Sequence, residues 1–275
     1  STVVEKQLVV KRATEYSEKM ARITPIPTSL AKMTFLHSTR HRHWDKSFDL
    51  PNTHVHSFAY GVLDDMKVRD PQNPERLREF TTEHICRTFP SWKEMSQSDK
   101  INSEPLFLWA LGCQLVSLNY GTFDEHILKA DGRFRRNGSS GYVLKPEHLT
   151  HDDPLRERQE TWSMSVICGS CLPSPDSSKK TAINPYVKIV VYGGDIEDKK
   201  AEHRTKVVIK NGINPIWDEK SGITFTSMNP SLSICVFTVW HKGEHGEDFI
   251  AGAALPLSCM REGIRSVALF DAHHA

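Results

Sequence analysis

The most constraining stretch of this 275-residue chain is residues 109–149, WALGCQLVSLNYGTFDEHILKADGRFRRNGSSGYVLKPEHL. Two short apolar runs, residues 113–118 and 142–144, are each followed at once by loop-forming residues, Asn119-Tyr120-Gly121-Thr122 and Lys145-Pro146. Apolar runs without alternation suit a parallel sheet covered on both faces, so both are expected as buried strands. Between them, residues 123–130 set Phe123, Ile127 and Leu128 at helical spacing, and Asp131-Gly132 and Asn137-Gly138 are turn signals around Arg133-Phe134-Arg135-Arg136. The local reading is strand, short helix, strand: a piece of an α/β layer.

Upstream, residues 1–29 read as a linker or N-terminal extension of mixed charge, broken by Pro25 and Pro27. Residues 30–38 (LAKMTFLHS) are expected as a strand, and Thr39-Arg40-His41-Arg42-His43-Trp44 as a basic, aromatic loop. Such a loop is either solvated surface or a contact for phosphate-rich headgroups, with Trp44 at the membrane interface. Residues 56–68 are expected as a helix, and residues 74–82 as a second helix entered by a proline, with Leu77 and Phe80 inward. Residues 83–90 (EHICRTFP) alternate and should form a strand that delivers Arg87 to one end. By itself Arg87 reads either as half of a surface salt bridge or as a guanidinium fork for phosphate. Trp92 either packs under the 96–104 loop or stands at a water–lipid boundary, which suits an indole.

Residues 151–160 are polar and charged, a linker by composition. Beyond them short strands replace helices, at 162–168, 185–192, 204–209, 223–226, 232–240, 249–255 and 267–270, and an antiparallel sandwich is expected. With 35 Lys+Arg against 34 Asp+Glu the formal charge is +1, so there is no global basic field and nucleic acid is excluded as a partner. No apolar stretch approaches the roughly 20 residues of a membrane span, and charges interrupt the N-terminal apolar run, so a cytoplasmic protein, peripheral on membrane, is expected. The six cysteines are scattered, which fits reduced thiols, and Cys168-Gly-Ser-Cys171 is a lone CxxC without the second pair zinc would need.

The frame W-x-x-G-C-Q-L-V-x-L-N at 109–119, followed by D-G-R-F-x-x-N-G-x-x-G-Y-V-L-K-P at 131–146, resembles the Y-box half of eukaryotic phosphoinositide-specific phospholipase C. Asn184-Pro185-Tyr186-Val187, the KVVIKNGINPIW run at 206–217, Asp248-Phe249-Ile250 and Leu255-Pro256-Leu257-Ser258 resemble the C2 domain that follows that barrel. The implied fold is α/β plus all-β: the C-terminal half of a TIM-like (β/α)8 barrel over 30–150, the linker 151–160, and a C2 β-sandwich over 161–275. The implied activity is hydrolysis of phosphatidylinositol phosphates to diacylglycerol and inositol phosphates. The alternative is a phospholipase-like pseudoenzyme that serves as a phosphoinositide- or protein-binding scaffold.

By the same resemblance, Arg87 binds a ring phosphate of the inositol headgroup, Phe89 packs on the ring where the family has tyrosine, and Thr39 contacts phosphate where the family has serine. Trp92 falls on an aromatic of the family's apolar, bilayer-facing ridge. No catalytic residue is expected in this chain, because the family's two catalytic histidines and the acidic ligands of its catalytic Ca²⁺ lie on the X-half. His41, His43, His54 and His56 read as loop residues without an acid or metal frame. Calcium is therefore expected only with the missing X-half. In the C2 loops Asn184 replaces the usual aspartate and His241 and Gly243 replace a D-x-D pair, leaving Asp248, Glu244 and Glu247 beside Lys242. A hard dication wants several anionic oxygens, so no metal is expected on this chain. Half a barrel exposes an open sheet edge, and with the non-Met start this suggests part of a longer or split enzyme. Its expected partners are the X-half, a phosphoinositide membrane and a regulatory protein at the C2 domain.

Overall fold

The computed structural model describes residues 27–41, 43–61, 72–90, 102–121, 123–150, 159–175, 182–194 and 200–272. They fall into two compact units: residues up to Ser103 with Cys113–Asn119, and Glu104–Gly112 with Tyr120 onward.

The first unit is built on a four-stranded parallel sheet in the order β1-β2-β3-β4, with β1 His37–Arg40, β2 His54–Ala59, β3 Cys86–Phe89 and β4 Leu115–Val116. The helices are α1 (Thr28–Ala31), α2 (Trp44–Phe48) and α3 (Asn73–Glu83). As expected, α3 opens on a proline and buries Leu77 and Phe80, which are 2% and 0% exposed. The expected strand at 30–38 lies later, because residues 28–31 take a helical turn that leaves Leu30, Met33, Phe35 and Leu36 exposed. Of the expected helix at 56–68, residues 56–59 belong to the strand β2 and residues 60–61 are helical; residues 62–68 lie outside the described residues. The buried residues of β2 are His56 and Phe58, a spacing of two in which the first member is a polar type. Gln114 of the G-C-Q motif ties this unit together. Its Oε1 accepts from the Cys86 amide at 2.9 Å, and its Nε2 donates to the Thr81 and His84 carbonyls at 3.1 Å each.

The second unit holds α4 (Pro105–Ala110), α5 (Glu125–Phe134) and an antiparallel sandwich. One sheet runs β10-β9-β6-β7, with β6 Pro185–Tyr192, β7 Ala201–Arg204, β9 Ile234–Lys242 and β10 Glu247–Pro256; β5 (Glu160–Met164) pairs with β8 (Ile223–Ser227). Its core is formed by Val187, Ile189, Val191, Trp217, Phe225, Cys235 and Leu257. The expected strand at 267–270 reduces to one bridge, between Phe270 and Gly252.

The last helix of the 109–149 stretch belongs to this unit, since α5 lies on β10. It is longer than expected and runs through Asp131-Gly132, which is therefore no turn. Gly132 is needed there for closeness: a Cβ would stand 2.2 Å from the Ala254 carbonyl oxygen of β10. Asn137 and Gly138 do make the turn, with φ of 54° and 65°. Residues 142–144, expected as a buried strand, pair with no strand among the described residues, and Tyr142 and Leu144 are 80% and 92% exposed. The run at 113–118 gives only the two-residue β4, with Leu115 half exposed. Apolar type alone signalled burial, but a parallel strand needs neighbours on both sides to be covered.

Candidate functional site

Because side chains alternate along a strand, register decides which residues share a face of the β1–β4 sheet. His56 stands beside Cys86 and Phe58 beside Thr88, all of them buried; this is the packed face, against α2 and α3. Ser57 stands beside Arg87, Ala59 beside Phe89, and Arg87 beside Leu115. That second face is open: Arg87 and Leu115 are exposed, and Ser57, Ala59 and Phe89 are partly so.

Arg87 and Phe89 thus lie together, two residues apart on one strand, and the Arg87 guanidinium carbon is 5.1 Å from the centre of the Phe89 ring. Arg87 makes no ion pair among the described residues, which leaves its fork of donors open to an anion on this face. Thr39 does not join them. It is level with His56 in the ladder, which places it on the packed face, opposite Arg87. A one-residue change of position along a strand changes the face, and the hydroxyl adjacent to Arg87 is that of Ser57. The alternation of His56 and Phe58 is the signal for Ser57, hidden because a histidine fills an apolar position.

Trp44, expected at a membrane interface, is a core residue 8% exposed. Its Nε1 donates to Asn73 Oδ1 at 2.8 Å, and its ring meets those of His41, Phe48, Phe58 and Phe80. The α2 turn brings it inward, where both its apolar body and its N–H are satisfied. Trp92 lies outside the described residues. His54 and His56, read as loop residues, are on β2.

In the sandwich, Asn184 binds the neighbouring loops directly. Its Oδ1 accepts from the Lys210 amide at 2.9 Å, its Nδ2 donates to the Lys242 carbonyl at 3.0 Å, and its own amide donates to His241 Nδ1 at 2.9 Å. Glu247 is committed elsewhere: it accepts from Tyr186 Oη at 2.6 Å, Arg204 at 2.9 Å and Lys242 at 3.1 Å. Those hydrogen bonds, the tyrosine's first, hold its carboxyl down to about 2. Among the described residues no group of three His, Cys, Asp or Glu is placed to hold a metal ion.

Residues 30–148 match the family model of the phosphatidylinositol-specific phospholipase C Y domain, and residues 160–269 match that of the C2 domain. The chain belongs to the phosphoinositide-specific phospholipase C family. It is 30% identical over 240 residues to 1-phosphatidylinositol 4,5-bisphosphate phosphodiesterase delta-4 of Pongo abelii, an alignment covering 82% of this chain and 30% of that protein. To the eta-2 phosphodiesterase of Mus musculus it is 31% identical over 210 residues, 72% of this chain and 14% of the relative. The crystal structure of L. pealei PLC21 superposes on the whole chain with a TM-score of 0.76 at 22% identity, covering 35% of that structure. A likeness at this identity speaks for fold: the C-terminal half of a TIM-like barrel followed by a C2 sandwich. The chain spans less than a third of the length of these two relatives. No helix among the described residues is long and apolar enough to cross a membrane.

Proposed function

We propose that this chain supplies the phosphate-gripping wall of a phosphoinositide phospholipase C barrel, hydrolysing phosphatidylinositol phosphates once the rest of the cylinder is present. The observation that carries this reading is the open sheet face, where Arg87, Phe89 and Ser57 adjoin one another and Arg87 has no acidic partner among the described residues. In a closed barrel of parallel strands, the face away from the helices looks inward and reactive groups gather at the strand ends. Guanidinium hydrogen bonds to phosphate, supported by the Ser57 hydroxyl, would hold the headgroup. Phe89 would cover the sugar ring, without the hydroxyl a tyrosine adds.

Arg87 can bind and orient, but it cannot take or give a proton near neutral pH. The general acid and base, and the calcium ion that would stabilise the developing charge, belong to the X-half partner on this reading. The open apolar groups Leu115, Tyr142 and Leu144 would be covered by that partner. The C2 sandwich would act without calcium of its own, since the Asn184 amide already joins loops that carboxylates and an ion would otherwise hold. It would serve as support at the membrane or as a protein contact.

The experiment is reconstitution. This chain, mixed with the X-half of a family member, should hydrolyse phosphatidylinositol 4,5-bisphosphate, and neither piece should do so alone. Headgroup binding without turnover in the mixture would instead favour the scaffold reading.

A further inference from the structure

The packed face of the first unit is unusually rich in imidazole. His56 and His84 are 0% and 4% exposed. The His84 ring stacks on Phe80 at 4.1 Å, His56 meets Phe80 edge-on at 4.6 Å, and the His56 and His84 rings are 6.0 Å apart. His41 lies 4.4 Å from Trp44, 5.1 Å from Phe58 and 6.4 Å from His56. These contacts tie α2 and α3 to the sheet.

The hydrogen bonds set the protonation of two rings. His56 Nδ1 faces the His54 carbonyl at 3.2 Å and His84 Nε2 faces the Leu50 carbonyl at 3.0 Å. A carbonyl only accepts, so each of those nitrogens carries the ring's proton. The other nitrogens, His56 Nε2 and His84 Nδ1, are buried without a partner among the described residues, as is His54 Nδ1. A second proton on His56 would enter a buried site with no acceptor among the described residues. The groups beside these rings are His37 and Thr39 on β1, His41 after it, His54 on β2, Cys86 and Thr88 on β3, Trp44 and Ser47 on α2, Leu77 and Phe80 on α3, and His84 beyond it. None is a carboxylate, and the acids of the two helices, Asp45, Glu75, Glu79 and Glu83, are exposed. His43, also exposed, acts on the His41 ring in the same direction as His56.

We propose that this histidine core is an acid-sensitive latch: protonation of its rings frees α2 and α3 from the sheet and dismantles the face that carries Arg87, while the sandwich holds. The titration follows the same direction. Burial first, then His56 and His43, pull the His41 ring from 6.5 to about 4, and burial also lowers His56. A histidine so depressed stabilises the fold above about pH 6.5, and that contribution is lost as pH falls toward its folded value. By pH 5 the His41 ring alone shifts the closed-to-open ratio roughly thirtyfold, at about tenfold per pH unit. His56 adds to it in the same direction.

Hydrogen exchange on the whole chain, corrected for intrinsic rates, tests this at about pH 7.5 and about pH 5. Protection over residues 54–59 and 73–89 should fall at the lower pH, and that over 185–192 and 234–256 should persist. His56→Phe and His41→Phe, which cannot titrate, should each shrink the acid loss. Unchanged protection at low pH, equal loss in both units, or an acid response untouched in both variants would overturn the proposal. If His56→Phe does not fold at neutral pH, His41→Phe alone decides it. The link to headgroup binding rests on the role proposed for Arg87, and Arg87→Ala separates the two: it should weaken binding roughly ten- to a hundredfold and leave the acid transition in place.

Discussion

Replacing Gly132 by alanine should destabilise the second unit, although the same change in most helices stabilises. Gly132 lies inside α5, where alanine is favoured over glycine by about 1 kcal/mol. Against that, the new methyl would stand 2.2 Å from the Ala254 oxygen, 2.6 Å from its carbonyl carbon and 2.8 Å from its Cβ. The obstacle is backbone of a paired strand and cannot rotate away. The helix must lift, and the contact of Leu128 with Gly252 one turn earlier must loosen with it. Overpacking of this kind costs about 3 kcal/mol at the upper end of its range, which leaves a net loss of about 2 kcal/mol. Urea unfolding followed by fluorescence should show a lower midpoint with little change in slope. Gly246→Ala, with nothing within 4 Å of the added methyl, is the control and should stay within about 0.5 kcal/mol of the parent. A Gly132→Ala protein as stable as the parent, or more so, would refute the seating of α5 on β10.

Three other outcomes follow from the packing. Trp44→Ala should cost about 3–5 kcal/mol in the first unit, as for a core aromatic, and should leave vesicle binding at neutral pH to whatever fraction remains folded. A stability change near zero with reduced vesicle binding would return Trp44 to the membrane interface. Lys129 is 1% exposed, bonded to Glu104 at 2.6 Å and Glu125 at 3.1 Å, and its Nζ is 3.5 Å from the centre of the Tyr192 ring. Lys129→Met should cost about 3 kcal/mol by urea unfolding, at the low end for a broken buried pair because both carboxylates can reach water. Asn184→Asp removes the donor to the Lys242 carbonyl and should cost about 1–2 kcal/mol. Calorimetry on that variant should still find no micromolar calcium binding, since His241 and Gly243 supply no further carboxylate.

What could be read from the sequence was what residue type expresses directly. α3 was legible from its entering proline and from Leu77 and Phe80, and β6 from its unbroken apolar run. The two motif sets fixed the order of half-barrel and sandwich. What stayed hidden depended on contacts distant in the chain. β2 was concealed because His56, a polar type, occupies a core position, and with it Ser57 was missed and Thr39 was set on the wrong face. Trp44 beside Arg40 and His41 suggested an interface, yet a single helical turn carries it into the core. Gly132 resembled a turn residue because nothing nearby in sequence announces the strand it must approach. Tyr142 and Leu144 look buried because they are apolar, yet they pair with no strand among the described residues.

The central claim is that the Arg87 guanidinium, on the open face beside Ser57 and Phe89, grips an inositol phosphate. Flotation of this chain with vesicles of phosphatidylcholine, with and without phosphatidylinositol 4,5-bisphosphate, measures it most directly. Arg87→Ala should weaken the bisphosphate-dependent binding by roughly ten- to a hundredfold, the worth of about 1.5–3 kcal/mol for hydrogen bonds to a charged group. An Arg87→Ala chain that floats with the bisphosphate vesicles as the parent does would contradict the account.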